Sequence, residues 1–188
     1  MKDFKLCKIN LETDKPQIAS WDTLLRDSEN YESIFKFVLE DGTINGLGEV
    51  IETNYELFAI GRNETKNTFV AKTAEGEILG FVILSAFELN TSSPELFLQY
   101  VVVNPMYQHQ GYGKEMLTQL FLRFKQNIGV KPKSIFAYIH KDNESSKQLF
   151  KHFGFEFGEV PKTDFLCAKT DGKSLKQNIE AEKSTPNF

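Results

Sequence analysis

The stretch LFLQYVVVNPMYQHQGYGK, residues 96–114, decides the fold. Leu96 to Val103 is apolar and rich in β-branched residues, which reads as a strand, and Asn104-Pro105 closes it. Past Gly111 the period changes. Met116, Leu117, Leu120, Phe121, Phe124 and Ile128 make one helical stripe against Lys114, Glu115, Gln119, Arg123 and Lys125, with Gly129 as the stop. Gly111 and Gly113 therefore lie where a strand turns into a helix. Glycines there let a bulky ligand approach the backbone, and the new helix aims N–H groups and partial positive charge at an anion. A phosphate is the natural guest. A dinucleotide fingerprint beginning at Gly111 needs glycine where Met116 stands, and a P-loop ending at Gly113-Lys114 needs glycine at Gln108 and Ser or Thr at Glu115, so neither fits.

Outward from this stretch, Thr68 to Ala74 and Ile78 to Leu89 read as a hairpin turning at Glu75-Gly76-Glu77. Earlier, Phe4 to Leu11 suggests a first strand. Pro16 is read as the first residue of a helix after Asp14 carrying Ile18, Trp21, Leu24 and Leu25, and Tyr31, Ile34, Phe35, Val38 and Leu39 mark a second helix stopped by Asp41-Gly42. Residues 43–67 show no sustained period beyond one short element at Tyr55 to Ile60 and read as an irregular segment that shapes a binding site. A polar break spans Asn90 to Pro94. Downstream come a strand at Ile135 to His140, a helix at Asn143 to Phe153 stopped by Gly154, and short strands at Phe155 to Glu159 and Asp164 to Ala168. The order predicts an α/β (α+β) sheet flanked by helices. Residues 1–170 are expected to form a single domain, and 171–188 a polar tail that is mobile or a frayed helix.

Composition bounds the rest. The 188 residues are 40% apolar and 26% charged, which is ordinary for a globular chain, and the formal charge of −4 offers no footprint for nucleic acid. The longest nearly apolar run, Ile78 to Phe87, is half what a membrane span needs, and MKDFKLCKIN contains no continuous apolar segment, so a cytoplasmic protein is expected. Cys7 and Cys167 have no second cysteine nearby, so a zinc knuckle and a C-x-x-C pair are excluded and both are read as reduced, half-buried strand residues. No metal is expected.

Together these motifs resemble the GNAT superfamily of N-acetyltransferases, whose acyl-CoA loop reads Q/R-x-x-G-x-G/A after a strand ending in V-x-P. Here Val103-Asn104-Pro105 precedes QHQGYG. A second block agrees, since Asn143, Ser146, Leu149, Phe150 and Gly154-Phe155 match N-x-x-A/S-x-x-L-Y/F-x-x-x-G-F. The resemblance implies a mixed, mostly antiparallel sheet of about seven strands, whose central strands at Val101 to Val103 and Ile135 to His140 splay to admit a pantetheine arm. It implies acetyl-CoA as acyl donor and an amine as acceptor, in a monomer or homodimer. Val101, Val102 and Val103 would pair with the arm, and Gln108, His109, Gln110, Gly111, Tyr112, Gly113 and Lys114 would surround the pyrophosphate. Asn143, itself a natural helix cap, would reach the pantetheine with Phe150 nearby.

The chemistry departs from the family pattern. Acetyl transfer needs a neutral amine, a stabilised oxyanion and a proton for the thiolate. Where the family often places a carboxylate or histidine, this chain has Phe97 and Gln99, and neither is a base. Tyr138, five residues before the asparagine, is a second customary position and can donate a proton or orient the amine. Tyr138 and Gln99 are thus the catalytic candidates. Phe150 stands where the family's acid is a tyrosine and has no hydroxyl. His140 is expected to face solvent beside Lys141 without an orienting partner, and His152 to lie on the surface. The reading is direct attack by a primary amine of a small molecule, amino acid or peptide N-terminus, carried mainly by positioning, which can supply about 7–11 kcal/mol. The alternative is a non-catalytic acyl-CoA-binding or regulatory module. Phe97, Gln99, Tyr138 and Phe150 would wall the acceptor pocket with little charge.

Overall fold

The computed structural model describes residues 3–21, 46, 47, 50, 51, 68–87, 95–127 and 131–184. The helix read over 31–39, most of 43–67, the break at 90–94, Ile128 and Gly129 lie outside them, as do residues 185–188. The strands are β1 (Lys5–Lys8), β2 (Thr68–Lys72), β3 (Ile78–Phe87), β4 (Glu95–Val103), β5 (Ser134–His140), β6 (Glu156–Glu159) and β7 (Phe165–Asp171). They form a seven-stranded sheet in the order β1-β2-β3-β4-β5-β7-β6. The β4–β5 pair is parallel, and β1–β2, β2–β3, β5–β7 and β6–β7 are antiparallel, which is the mixed, mostly antiparallel architecture expected. The β4–β5 register runs from Glu95 to Phe97 against Ser134 to Phe136, whereas β5 pairs with β7 from Ser134 through His140. The chain divides into two compact units, residues 1–83 with 100–113 and residues 84–99 with 114–188.

In the first unit, helix α1 (Leu11–Ala19) starts at Asn10 rather than at Pro16. Asn10 Oδ1 accepts from the Glu12 N–H at 3.0 Å while Asp14 Oδ2 accepts from the Asn10 N–H at 2.8 Å, two bonds that fix the helix start ahead of Pro16. Pro16 lies inside the helix, and the cap also ends the first strand at Lys8. Leu47, Val50 and Ile51, in the segment read as irregular, are helical and buried with Ile18, Trp21, Val70, Ile78, Phe81, Ile83 and Val102. Their i, i+3, i+4 spacing is the helical signal, too short to stand out in sequence. Asp14 is fully buried and meets Lys72 of β2 at 2.5 Å. Burial pushes its carboxyl pKa up, but the Lys72 ammonium, the Asn10 N–H and the Thr13 hydroxyl outweigh that and hold it below the ordinary value.

In the second unit, helix α2 (Tyr112–Leu122) buries Met116, Leu117, Leu120 and Phe121 and breaks at Arg123 before the single turn α3 (Phe124–Asn127). Phe121 is packed by Phe124 and Phe153 at 5.3 and 5.1 Å between ring centroids. Helix α4 (Glu144–His152) stops by a Schellman pattern: the Phe155 N–H reaches the Phe150 carbonyl at 3.1 Å and the Gly154 N–H that of Lys151 at 2.9 Å. Gly154 has φ +77, and a Cβ there would lie 2.1 Å from Asn178 Nδ2. Asn178 belongs to helix α5 (Gly172–Ser184), which occupies most of the segment expected to be a mobile tail or frayed helix. Asp171 caps that helix by accepting from the Lys173 and Ser174 N–H groups, each at 2.9 Å, and Leu175 and Ile179 are buried. Two apolar residues at i and i+4 behind an aspartate were enough to dock it. Among the described residues no helix is long and apolar enough to cross a membrane.

Lys72→Ala leaves the Asp14 carboxylate buried without its cation and is expected to cost about 3 kcal/mol at neutral pH, read from urea denaturation. Because the folded Asp14 pKa lies below its ordinary value, the carboxylate's contribution is complete above that ordinary value. It disappears as pH falls through the lower folded one, so the stability gap between wild type and Asp14→Asn should close on acidification.

Candidate functional site

Asn104 turns the strand into the loop. It is buried, its main-chain N–H donates to the Leu79 carbonyl at 2.9 Å, and its Nδ2 donates to the Ile78 carbonyl at 3.2 Å. Its Oδ1 accepts from the Met106 N–H at 3.1 Å and its carbonyl from the Tyr107 N–H at 2.8 Å, which caps the 3-10 turn Pro105–Tyr107. One side chain thus ties β3 to the turn. The sequence marked Asn104 only as the end of a strand. Its signal is an asparagine before proline at a strand end, ambiguous with an ordinary turn.

Tyr107 donates its hydroxyl to Glu77 at 2.5 Å, and that bond to a carboxylate raises the phenol's pKa. Its ring meets Tyr112 edge-on at 5.6 Å, and Tyr112 also lies 6.1 Å from Phe4, so the first residue of α2 is held between aromatic neighbours. Gln108 Nε2 donates to the Val103 carbonyl at 3.2 Å, folding that side chain onto the strand end. Gln110 Nε2 donates to the Met106 carbonyl at 3.3 Å. His109 and Gly111 are left-handed, with φ 58 and φ 80, and a Cβ on Gly111 would meet no atom within 4 Å. Open space beside a strained, glycine-bearing helix start suits an approaching phosphate. Val101 and Val103 are half-buried on one side of β4, Val102 is buried in the core on the other, and Gly113 sits within the first turn of α2.

In the second unit, Lys114 is exposed on the first turn of α2. Gln99 is half-buried, and its Oε1 is enclosed with no hydrogen-bond partner among the described residues. Tyr138 is 46% exposed, with its ring 5.5 Å from Phe97 and 5.9 Å from Phe136. Asn143 is the N-cap of α4, accepting from the Ser146 N–H at 3.0 Å. Phe150, only 4% exposed, packs edge-on against Phe155 at 4.9 Å. His140 differs from expectation: it is buried, its Nδ1 accepts from the Asp142 N–H at 3.2 Å, and its ring meets Phe165 edge-on. His152 is exposed, as expected, and both cysteines are free and half-buried.

Against this geometry, a sequence model described as Acetyltransferase (GNAT) family matches residues 31–155. Similar solved structures include a spermidine N-acetyltransferase SpeG chimera from Vibrio cholerae and hSSAT, with TM-score 0.64 and 15% identity over 93% of this chain and 99% of that one. An acetyltransferase from Thermus thermophilus aligns with TM-score 0.63 and 14% identity over 90% and 97% of the two chains. Arabidopsis thaliana Naa50 in complex with the bisubstrate analogue CoA-Ac-MVNAL aligns with TM-score 0.54 and 17% identity over 90% and 99%. No curated protein sequence matches. The match to that family model defines the class, an acetyltransferase. The chain belongs to the GNAT family.

Asn104→Leu removes the partner of the Ile78 carbonyl and of the Met106 N–H, and is expected to cost about 2 kcal/mol in urea denaturation. Asn104→Asp should not rescue, because it keeps the acceptor for Met106 but sets a carboxylate against the Ile78 carbonyl.

Proposed function

We propose that this chain transfers the acetyl group of acetyl-CoA to the nitrogen of a primary amine by direct attack. The observation that carries this reading is the loop after β4: two left-handed residues, open space at Gly111, and the amino end of an eleven-residue helix aimed at whatever enters. The pyrophosphate of acetyl-CoA suits that end, with amides between His109 and Lys114 as donors. In the reaction the lone pair of the neutral amine forms the C–N bond, the C–S bond breaks, and the proton the nitrogen sheds ends on sulfur. The products are an amide and the CoA thiol. Gln99 offers an uncharged amide and Tyr138 an exposed phenol, so Tyr138 is the proton-bearing group assigned to orient the amine or pass its proton. Acetylation of spermidine, which one solved relative's name states for that protein, falls within the same chemistry, as does the bisubstrate analogue CoA-Ac-MVNAL bound by another.

The buried phenylalanine at position 150 favours a second reading, a module that binds acyl-CoA without turnover, because no hydroxyl stands where the family's acid would be. Thiol release from acetyl-CoA across a panel of amines, with mass spectrometry of the products, separates the two. Firm acetyl-CoA binding without release would favour the module.

Gly111→Val should fold, since its Cβ enters open space and its φ costs only about 1–2 kcal/mol. The side chain would fill the approach to the loop, so calorimetry should show acetyl-CoA affinity down about tenfold or more, equivalent to about 1.4 kcal/mol. Unchanged affinity would remove the loop from the site. Tyr138→Phe should lower kcat about a hundredfold while leaving acetyl-CoA affinity intact, because a proton-transfer contact is made mainly in the transition state. An unaltered rate would take Tyr138 out of the mechanism.

A further inference from the structure

The sheet of the second unit has two unlike faces. Leu96, Leu98, Ile135, Ala137 and Ile139 point one way and are buried. On the other face the β4–β5 register sets Phe97 beside Phe136, with Tyr138 two residues further along β5. Phe97 stacks on Phe136 at 5.1 Å with the ring planes 13° apart, and Tyr138 stands edge-on to both at 67° and 74°. Phe97 and Phe136 are half-buried, while Tyr138 keeps nearly half its surface in solvent. Gln99 follows on the same face, and its enclosed Oε1 lacks a hydrogen-bond partner among the described residues. A half-turn of its terminal amide exchanges the two ends, so Gln99 can present either a donor or an acceptor.

Charge decides between candidate ligands. The carboxylate on this stretch of β4 is Glu95, and it is already engaged, by Lys169 at 2.9 Å and by the Ser134 hydroxyl at 2.5 Å. Those bonds hold its pKa below the ordinary value, and its charge is already shared with Lys169. Opposite Tyr138 on β7 lies Cys167, a thiol kept neutral as burial raises its pKa. Of the other carboxylates the register sets on this face, Asp171 caps α5 and Glu156 stands on the edge strand β6 beside Lys169, so the described residues offer a polycation no cluster of uncompensated carboxylates. A flat apolar group gains edge-to-face and stacking contacts with the rings, and one ammonium can rest against a ring face until it loses its proton.

We infer that the acceptor is a monoamine carrying an aromatic body, whose ring lies against Phe97, Phe136 and Tyr138 and whose nitrogen is met by the uncharged amide of Gln99. This rests on the acetyl-transfer reading above and narrows its acceptor. The side chain at 136 is then a specificity residue, because it shapes the wall without supplying a proton.

The test compares 2-phenylethylamine, ethylamine and spermidine with acetyl-CoA and the full chain, following thiol release. The expected kcat/KM for 2-phenylethylamine exceeds that for ethylamine by about tenfold or more, with spermidine the poorest of the three. Phe136→Leu, checked for an unchanged thermal melt, should shrink the phenylethylamine-to-ethylamine ratio several-fold, chiefly through KM. Should that variant fail to fold, the substrate comparison on the wild-type chain decides alone. Thiol release with a ratio near one, or with spermidine preferred, overturns this inference and leaves acetyl transfer standing. Absence of release with every amine overturns acetyl transfer and this inference together.

Discussion

Four hydrogen bonds on Asn104 hold the point where the strand hands over to the loop. A side-chain amide has both a donor and an acceptor, so one residue can satisfy the Ile78 carbonyl and cap the Met106 N–H at once, and no apolar or singly functional side chain of that size does both. Because Asn104 is buried, losing either bond strands a polar group away from water. The turn is therefore held in place, and the glycine loop and the start of α2 inherit its position. Tyr107, bonded to Glu77, and Tyr112, between Tyr107 and Phe4, secure the same corner from its flank.

The second block of the family pattern has a structural explanation of its own. Asn143 begins α4 by accepting from Ser146, and Gly154 ends it in a left-handed conformation that also makes room for Asn178 of α5. Phe150 and Phe155 are the apolar pair that accompanies this kind of helix stop, and their rings meet at 4.9 Å. Much of what looks like a functional signature is thus a helix with both ends specified. The family is nonetheless right, since a helix started and stopped at those positions is part of the fold the family shares.

Chemistry is distributed differently from the pattern. The position that would carry the acid is filled by a buried ring, while His140, expected to face solvent, is buried and oriented by the Asp142 N–H. Its orientation depends on the turn after β5, a contact between backbone and ring that residue types do not announce. Gln99 is polar in an aromatic neighbourhood, and its Oε1 has no hydrogen-bond partner among the described residues.

The sequence alone determined the order of strands from β2 to β7 and the two long helices between them, the strand-loop-helix unit and its glycines, and through the two motif blocks the family. These are local properties: hydrophobic period, glycine and proline placement, and spacing along the chain. It placed the start of α1 at Pro16, because the bonds from the Glu12 N–H to Asn10 and from the Asn10 N–H to Asp14 form only in the folded turn, and it read 171–188 as a mobile tail or a frayed helix, because two apolar residues four apart carry little weight without the surface that covers them. The pairing of Asp14 with Lys72, the fastening by Asn104, the burial of His140 and the assembly of Phe97, Phe136 and Tyr138 into one wall were settled only by tertiary structure. Each joins residues distant in sequence, and the energy that fixes them, burial of a charge or satisfaction of a polar group, exists only once the sheet has brought its strands together.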